Sequence, residues 1–121
     1  MAKENDKHNT YNLEERTARF GERILKFAKT IPNCPINVPL ITQLVRAATS
    51  IGANYCEAND SVSKKEFRNK IGLCRKESKE TKHWLRMIAV ANNELKDEAR
   101  SLWQEAKELN LIFSQIFRSC Q

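Results

Sequence analysis

Apolar and small residues recur along the chain in alternating steps of three and four, in four separate stripes. The first stripe is Leu13, Thr17, Phe20, Ile24, Phe27 and Ile31, and the second is Ile41, Leu44, Ala48, Ile51, Tyr55 and Ala58. The third is Phe67, Ile71, Cys74, Ser78, Thr81, Leu85 and Ile88, and the fourth runs Leu95, Ala99, Leu102, Ala106, Leu109, Phe113, Ile116 and Cys120. This spacing buries one face of a helix, and a repeat of seven sustains left-handed knobs-into-holes packing.

Local signals set the expected boundaries. Asn12 is a good N-cap, with Glu15 placed for a capping box. Pro32 and Pro35 end the first helix in the loop TIPNCPINV. The second helix is expected from about Pro39, where proline suits a first turn. After the loop NDSVS, Ser63 caps a third helix with Glu66 as its capping-box partner, and this helix runs to about Ala91 before Asn92-Asn93 breaks it. Short connections favour antiparallel neighbours, so the fold predicted is all-α, an antiparallel up-down-up-down four-helix bundle. Residues 1–10 read as a disordered polar tail and residues 11–121 as one domain.

The second helix is unusual. Its stretch RAATSIGANYCEA crowds small residues together, and Arg46 is the one charge between Pro39 and Cys56. An outward helix face normally carries several charges, and Gly52 costs a helix interior about 1 kcal/mol relative to alanine. Gly21, Gly52 and Gly72 each fall one position after a core residue of their helix, which suggests close helix contacts. The second helix therefore reads as buried nearly all round, and a homo-oligomer with that helix in or near its interface is expected. The competing reading is a monomer whose second helix has a soft Thr/Ser/Asn outer face.

Composition adds little until charge is located. The four cysteines lack any CxxC pairing and read as reduced core thiols. No run approaches the ~20 apolar residues of a membrane span, and the start MAKENDKHNT has the pattern of neither a secretory signal nor a transit peptide, so a cytoplasmic protein is expected. The net charge is +6, and the segment from Ser61 to Arg86 holds nine Lys or Arg against three Glu, leaving the remainder neutral overall. Charge localised in this way suggests an anionic partner, with nucleic acid first.

On the third helix Lys65, Arg68, Arg75, Lys79, Lys82 and Arg86 lie one position after the core stripe, interrupted at Gly72. On the first helix Arg16, Arg19, Arg23 and Lys26 form a shorter row. Such rows can neutralise phosphates and gain affinity from counterion release, or they can be solvated faces with intrahelical pairs. Aromatic interleaving of the kind that stacks bases is not expected, so recognition would be of backbone and shape. Trp84 and Met87 flank the core on the opposite side, where packing is expected.

Catalytic patterns are weak. Glu80 and His83 make one Glu-x-x-His, whereas a di-iron bundle needs two with further glutamates, and the other histidine, His8, lies in the tail. The pairs Glu57/Asp60, Glu77/Glu80 and Glu94/Asp97 resemble the paired acids of magnesium-dependent helical nucleotide hydrolases. However, Glu77 lies ~21 Å along the axis from the turn beside Glu94, so one subunit cannot bring the pairs together. No Gly-rich phosphate loop, nucleophile elbow or Cys/His pair occurs. No enzyme activity, cofactor or metal is expected. Asn54 and Glu57 read as structural, with Arg46 or Lys70 as the cation for Glu57.

The segments YNLEERT, QLVRAATSIGANYCEA and SKKEFRNKIGLCRKESKETKHWL resemble the bacterial four-helix-bundle family of proteins encoded in intervening sequences of 23S ribosomal RNA genes. That family is related to the accessory variability determinant of diversity-generating retroelements. The resemblance spans about residues 11–118 and implies a ring-shaped homopentamer that binds nucleic acid through basic surfaces. The retroelement relatives are RNA-binding partners of a reverse transcriptase. The alternative function is a protein-interaction scaffold, a ring recruiting a reverse transcriptase or another acidic protein. Arg46, Asn54, Tyr55 and Glu57 match the family signature and are expected to hold fold or assembly.

Overall fold

A helix succeeds here where a stripe of core residues coincides with a start and a stop. In the computed structural model, which describes residues 12–120, four helices form: α1 (Leu13–Ala28), α2 (Asn37–Asn59), α3 (Lys64–Ala91) and α4 (Lys96–Ser119). A single 3-10 turn, Asn93–Leu95, joins the last two. No strand occurs among the described residues. The expected N-terminal tail and His8 lie outside them.

The stripes form the core. Leu13, Phe20, Ile24, Leu44, Ile51, Ile71, Leu85, Ile88, Leu102, Leu109 and Phe113 are all buried. Tyr55 reaches Phe113, with the two ring centroids 5.7 Å apart. Burial raises the pKa of its phenol. Polar members of the stripes are satisfied by their own helices. Thr17 Oγ1 donates to the Glu14 carbonyl, Ser78 Oγ to that of Arg75 and Thr81 Oγ1 to that of Glu77. Cys74 Sγ donates to the Ile51 carbonyl, and burial pushes this thiol up to about 12, so it stays a neutral core group.

Cross-helix contacts establish the topology. Thr17 lies against Gly52 and Gly21 against Thr49, Glu57 pairs with Lys70, and Asn110 Nδ2 donates to the Arg75 carbonyl. Arg16 meets Glu105, while Arg23 meets Ser101. In every case numbering rises on one helix as it falls on the other, so all neighbours are antiparallel. The fold is a four-helix bundle whose α1–α4 side is the thinnest.

Several expectations change in detail. Asn12 occupies the N-cap, but its side chain makes no capping hydrogen bond, so the first capping box does not form. Ser63 does cap α3, accepting from the Glu66 amide at 3.0 Å, while Glu66 reaches back to the Val62 amide instead of that of Ser63. Helix α2 starts two residues before Pro39. The cysteines are not all core groups, since Cys56 is exposed.

Within one chain α2 is not enclosed. Thr42, Arg46, Thr49, Ala53, Cys56 and Glu57 are exposed. The helix carries few charges because its outer face is built from small and hydroxylated residues, not because the chain surrounds it. Gly52 is explained within the chain too. A Cβ there would stand 3.3 Å from Thr17 Oγ1, so its absence lets α1 and α2 approach.

At the end of the bundle where α2 begins and α3 ends, two buried amides pair reciprocally. Asn37 Nδ2 donates to Asn92 Oδ1, and Asn92 Nδ2 donates to Asn37 Oδ1, both at 2.9 Å. The same two amides also donate to the carbonyls of Pro32 and Ile88. Each closes a loop onto a helix end, and removal of one strands the other in the core. Asn37→Ala or Asn92→Ala should each lower unfolding stability by about 1–3 kcal/mol, and the double variant should cost less than the sum of the two. Strict additivity in denaturant titrations would show that the pair is not coupled.

Candidate nucleic-acid interface

A 3.6-residue repeat that buries Ile71, Cys74, Ser78 and Leu85 leaves α3 two edges. Glu77 and Glu80 occupy one, and six of the helix cations occupy the other. Glu77 and Glu80 turn toward α2, where both meet Arg46. Lys70 turns the same way to Glu57, and that carboxylate holds the ammonium above its ordinary pKa. Trp84 also belongs to this edge, donating its indole N–H to Glu80 Oε1 at 3.1 Å, with His83 edge-on at 4.9 Å.

The opposite edge, facing α4, carries the row expected from the sequence. Lys65, Lys79 and Arg86 are exposed, and Arg68, Arg75 and Lys82 are half-buried. Among the described residues none of the six lies within ion-pair distance of a carboxylate. The half-buried ones lie over aromatic rings, the two arginines at contact distance and the lysine farther off. The guanidiniums of Arg68 and Arg75 lie 3.9 and 4.2 Å from the Phe117 ring centroid. Gly72 interrupts the row because Phe117 needs the space. A Cβ at Gly72 would lie 3.0 Å from Phe117 Cε1. Further along, the Lys82 ammonium stands 5.6 Å from the Trp103 ring centroid and that of Lys107 stands 5.7 Å away. The sequence expectation of no aromatic interleaving is therefore corrected. The rings come from α4, which lies beside the row in space and not in sequence.

Helix α4 supplies cations that the sequence reading passed over. At about 100° per residue, Lys96, Arg100, Trp103, Lys107 and Arg118 fall within a sector of about 60°. All four cations are exposed. The signal was present in the α4 sequence as a helical-wheel segregation, but its cations are diluted there by Glu98, Glu105 and Glu108. Those acids point the other way, toward α1.

The α1 row meets a different fate. Arg16 forks between Glu105, at 2.7 and 2.9 Å, and Glu108, at 2.9 Å. Its pKa is raised chiefly by the hydrogen bond to Glu105. Arg19 pairs with Glu15 one turn earlier, and Arg23 donates to Ser101 Oγ. These three arginines line a cleft of about 420 Å³ between α1 and α4, together with Asn12, Phe20, Glu15 and Glu105. Lys26 is exposed and lines a neighbouring cleft with Glu98. The structure thus gathers the α1 cations but sets them among carboxylates. Of the signature residues, Arg46 and Glu57 hold the α2–α3 seam, and Asn54 donates to the Ser50 carbonyl of its own helix.

The profile of a family described as 23S rRNA-intervening sequence protein matches residues 10–117. No curated protein matches the chain. Among solved structures, the chain is similar to a crystal structure of a protein of the S23 ribosomal protein family from Bacteroides thetaiotaomicron VPI-5482, whose function is unknown. The two share 27% identity, the match covers 86% of this chain and 96% of that one, and the TM-score is 0.75. By the extent of the profile match and the agreement in fold, the chain belongs to the 23S rRNA-intervening sequence protein family.

Proposed function

We propose that this chain is a cytoplasmic, non-enzymatic protein that holds RNA or DNA against the α3–α4 edge and works as a ring-shaped homopentamer. One observation carries the nucleic-acid reading: among the described residues the six α3 cations stand without carboxylate partners, while Glu77 and Glu80 of the same helix are turned to α2. A row of unpaired cations on a rigid 28-residue helix is laid out to follow a phosphate backbone, and its affinity would come mainly from counterion release. The α4 cations widen that surface. Arg16 and Arg19 already have carboxylate partners and contribute less to it.

The assembly reading rests on a second surface. Ala18, Gly21, Leu25, Thr49, Gly52, Ala53 and Cys56 line a shallow groove between α1 and α2, mostly apolar and open to solvent. A helix of another copy can approach such small residues closely. The charged residues at its margin, Glu14, Glu15 and Glu22, are all acidic.

Reversal of Arg75, Lys79 and Lys82 to Glu should abolish binding of a labelled structured RNA or DNA duplex and leave the circular dichroism of the helices unchanged. For the wild-type chain the log–log salt slope with duplex should be steep, near −0.9 per phosphate neutralised. Binding left intact by the reversal would overturn the α3 assignment. Retention of an acidic protein with no binding of either nucleic acid would favour the scaffold reading.

Assembly is checked separately by sedimentation. The wild-type protein should sediment as a pentamer, and Ala53→Arg should yield smaller species with unchanged helix content. A wild-type monomer at micromolar concentration would overturn it. Gly52 is the wrong position for that test, because a larger side chain there strikes Thr17 of the same chain.

A further inference from the structure

The two tryptophans of the chain are held in opposite ways. Trp84 sits on the α2–α3 seam with its indole N–H given to Glu80. Trp103 is half-buried on the α3–α4 edge, and its indole N–H has no acceptor among the described residues and reaches solvent. The two aromatic rings under the basic row differ as well. Two guanidiniums pack on Phe117 at contact distance, which leaves little room on its faces. The ammonium groups beside Trp103 stand 5.6 and 5.7 Å from its centroid, beyond contact. Both stand over the ring, which packs in part against the bundle core and keeps part of its surface exposed.

We infer that Trp103 is a stacking platform for an unpaired nucleotide base, with Lys82 and Lys107 taking the phosphates on either side. The reading deepens the nucleic-acid proposal and rests on it, naming the class of ligand as single-stranded RNA or DNA, or an unpaired segment of a folded one. A partly exposed indole bordered by ammonium groups is the combination that binds single strands: the ring stacks on any base, and the cations follow the backbone. An indole N–H directed to solvent adds one donor for a phosphate or base oxygen. Lys79 and Arg86, one turn to either side of Lys82 on α3, and Arg100, one turn before Trp103 on α4, extend the positive track in both directions. A fully paired duplex offers no exposed base face and would use the cations alone.

The test uses the full chain carrying Trp84→Phe, so that Trp103 is the sole tryptophan. Oligouridylate, oligothymidylate and a blunt DNA duplex are titrated while tryptophan emission and the anisotropy of an end-labelled strand are both followed. The two single strands should quench Trp103 emission in step with binding, and the duplex should bind with little quenching. The comparison of the two single strands shows whether the sugar matters. Trp103→Leu, which keeps apolar bulk without a π-face, should weaken single-strand binding by between about fivefold and a hundredfold and shift duplex affinity within about twofold. Salt-sensitive binding with unchanged emission and equal affinity for the leucine variant would overturn the stacking site and leave the backbone reading standing. No binding of any of the three at low salt would overturn both. Should the leucine variant fail to fold, the emission measurement on the Trp84→Phe chain decides alone.

Discussion

The surface of this bundle depends on how α3 divides its charges between two neighbours. The helix is flanked by α2 and α4, and its core stripe leaves two edges on opposite sides. Glu77 and Glu80 are placed on the α2 edge, where Arg46 supplies a shared cation. Arg68, Arg75 and Lys82 are placed on the α4 edge, where the partners are aromatic rings. An aromatic ring attracts a cation through its quadrupole but does not cancel its charge. A carboxylate in the position of Phe117 or Trp103 would hold the same side chains at least as firmly and neutralise the row. The packing of Arg68 and Arg75 on Phe117 thus places two guanidiniums while preserving the positive field of the row.

Helix α4 is built to match. Its acids face α1, where Glu105 and Glu108 grip Arg16 in a forked arrangement with directional hydrogen bonds. This contact matters more than most surface pairs. The α1–α4 side has little backbone approach, and long side chains bridge two clefts there. Glu77 and Glu80, turned to Arg46, and Glu105 and Glu108, turned to Arg16, thus serve helix seams, and the α3–α4 edge keeps its row of cations free of carboxylates among the described residues.

Much of this was legible in the residues. The stripes located every large core side chain because a burial period of 3.6 depends on one helix at a time. Ser63, whose hydroxyl caps the Glu66 amide, marked the start of α3 for the same reason. What remained hidden needed a second helix in view. The Asn37–Asn92 pair joins residues 55 positions apart, and nothing in either local sequence marks a buried amide partner. Trp103 lies outside the α4 core stripe and the α3 row, so neither pattern drew it in. The scarcity of charge on α2 suggests burial completed by another copy, and within the chain Thr49 and Ala53 are exposed, which leaves that face open to a neighbour. Low charge identifies a surface that tolerates close approach by such a neighbour.

The two surfaces of the proposed function are compatible because of where the bundle places them. With neighbours in the order α1, α2, α3, α4, the α1–α2 groove lies across the bundle from the α3–α4 edge. In a closed ring the groove of one copy meets a different face of the next, and a neighbour docking through its α1 or α2 would leave the α3–α4 edge uncovered in every copy. A ring would then present several identical positive tracks at fixed separation, and a strand engaged on one track would meet the next at a high effective concentration. Weak stacking at a single Trp103, together with a few phosphate contacts from Lys82 and Lys107, would suffice for tight binding of a long unpaired segment and give only weak binding of a short one. A strand length dependence that rises in steps matching one subunit would distinguish such multivalent contact from a continuous electrostatic film over the whole ring.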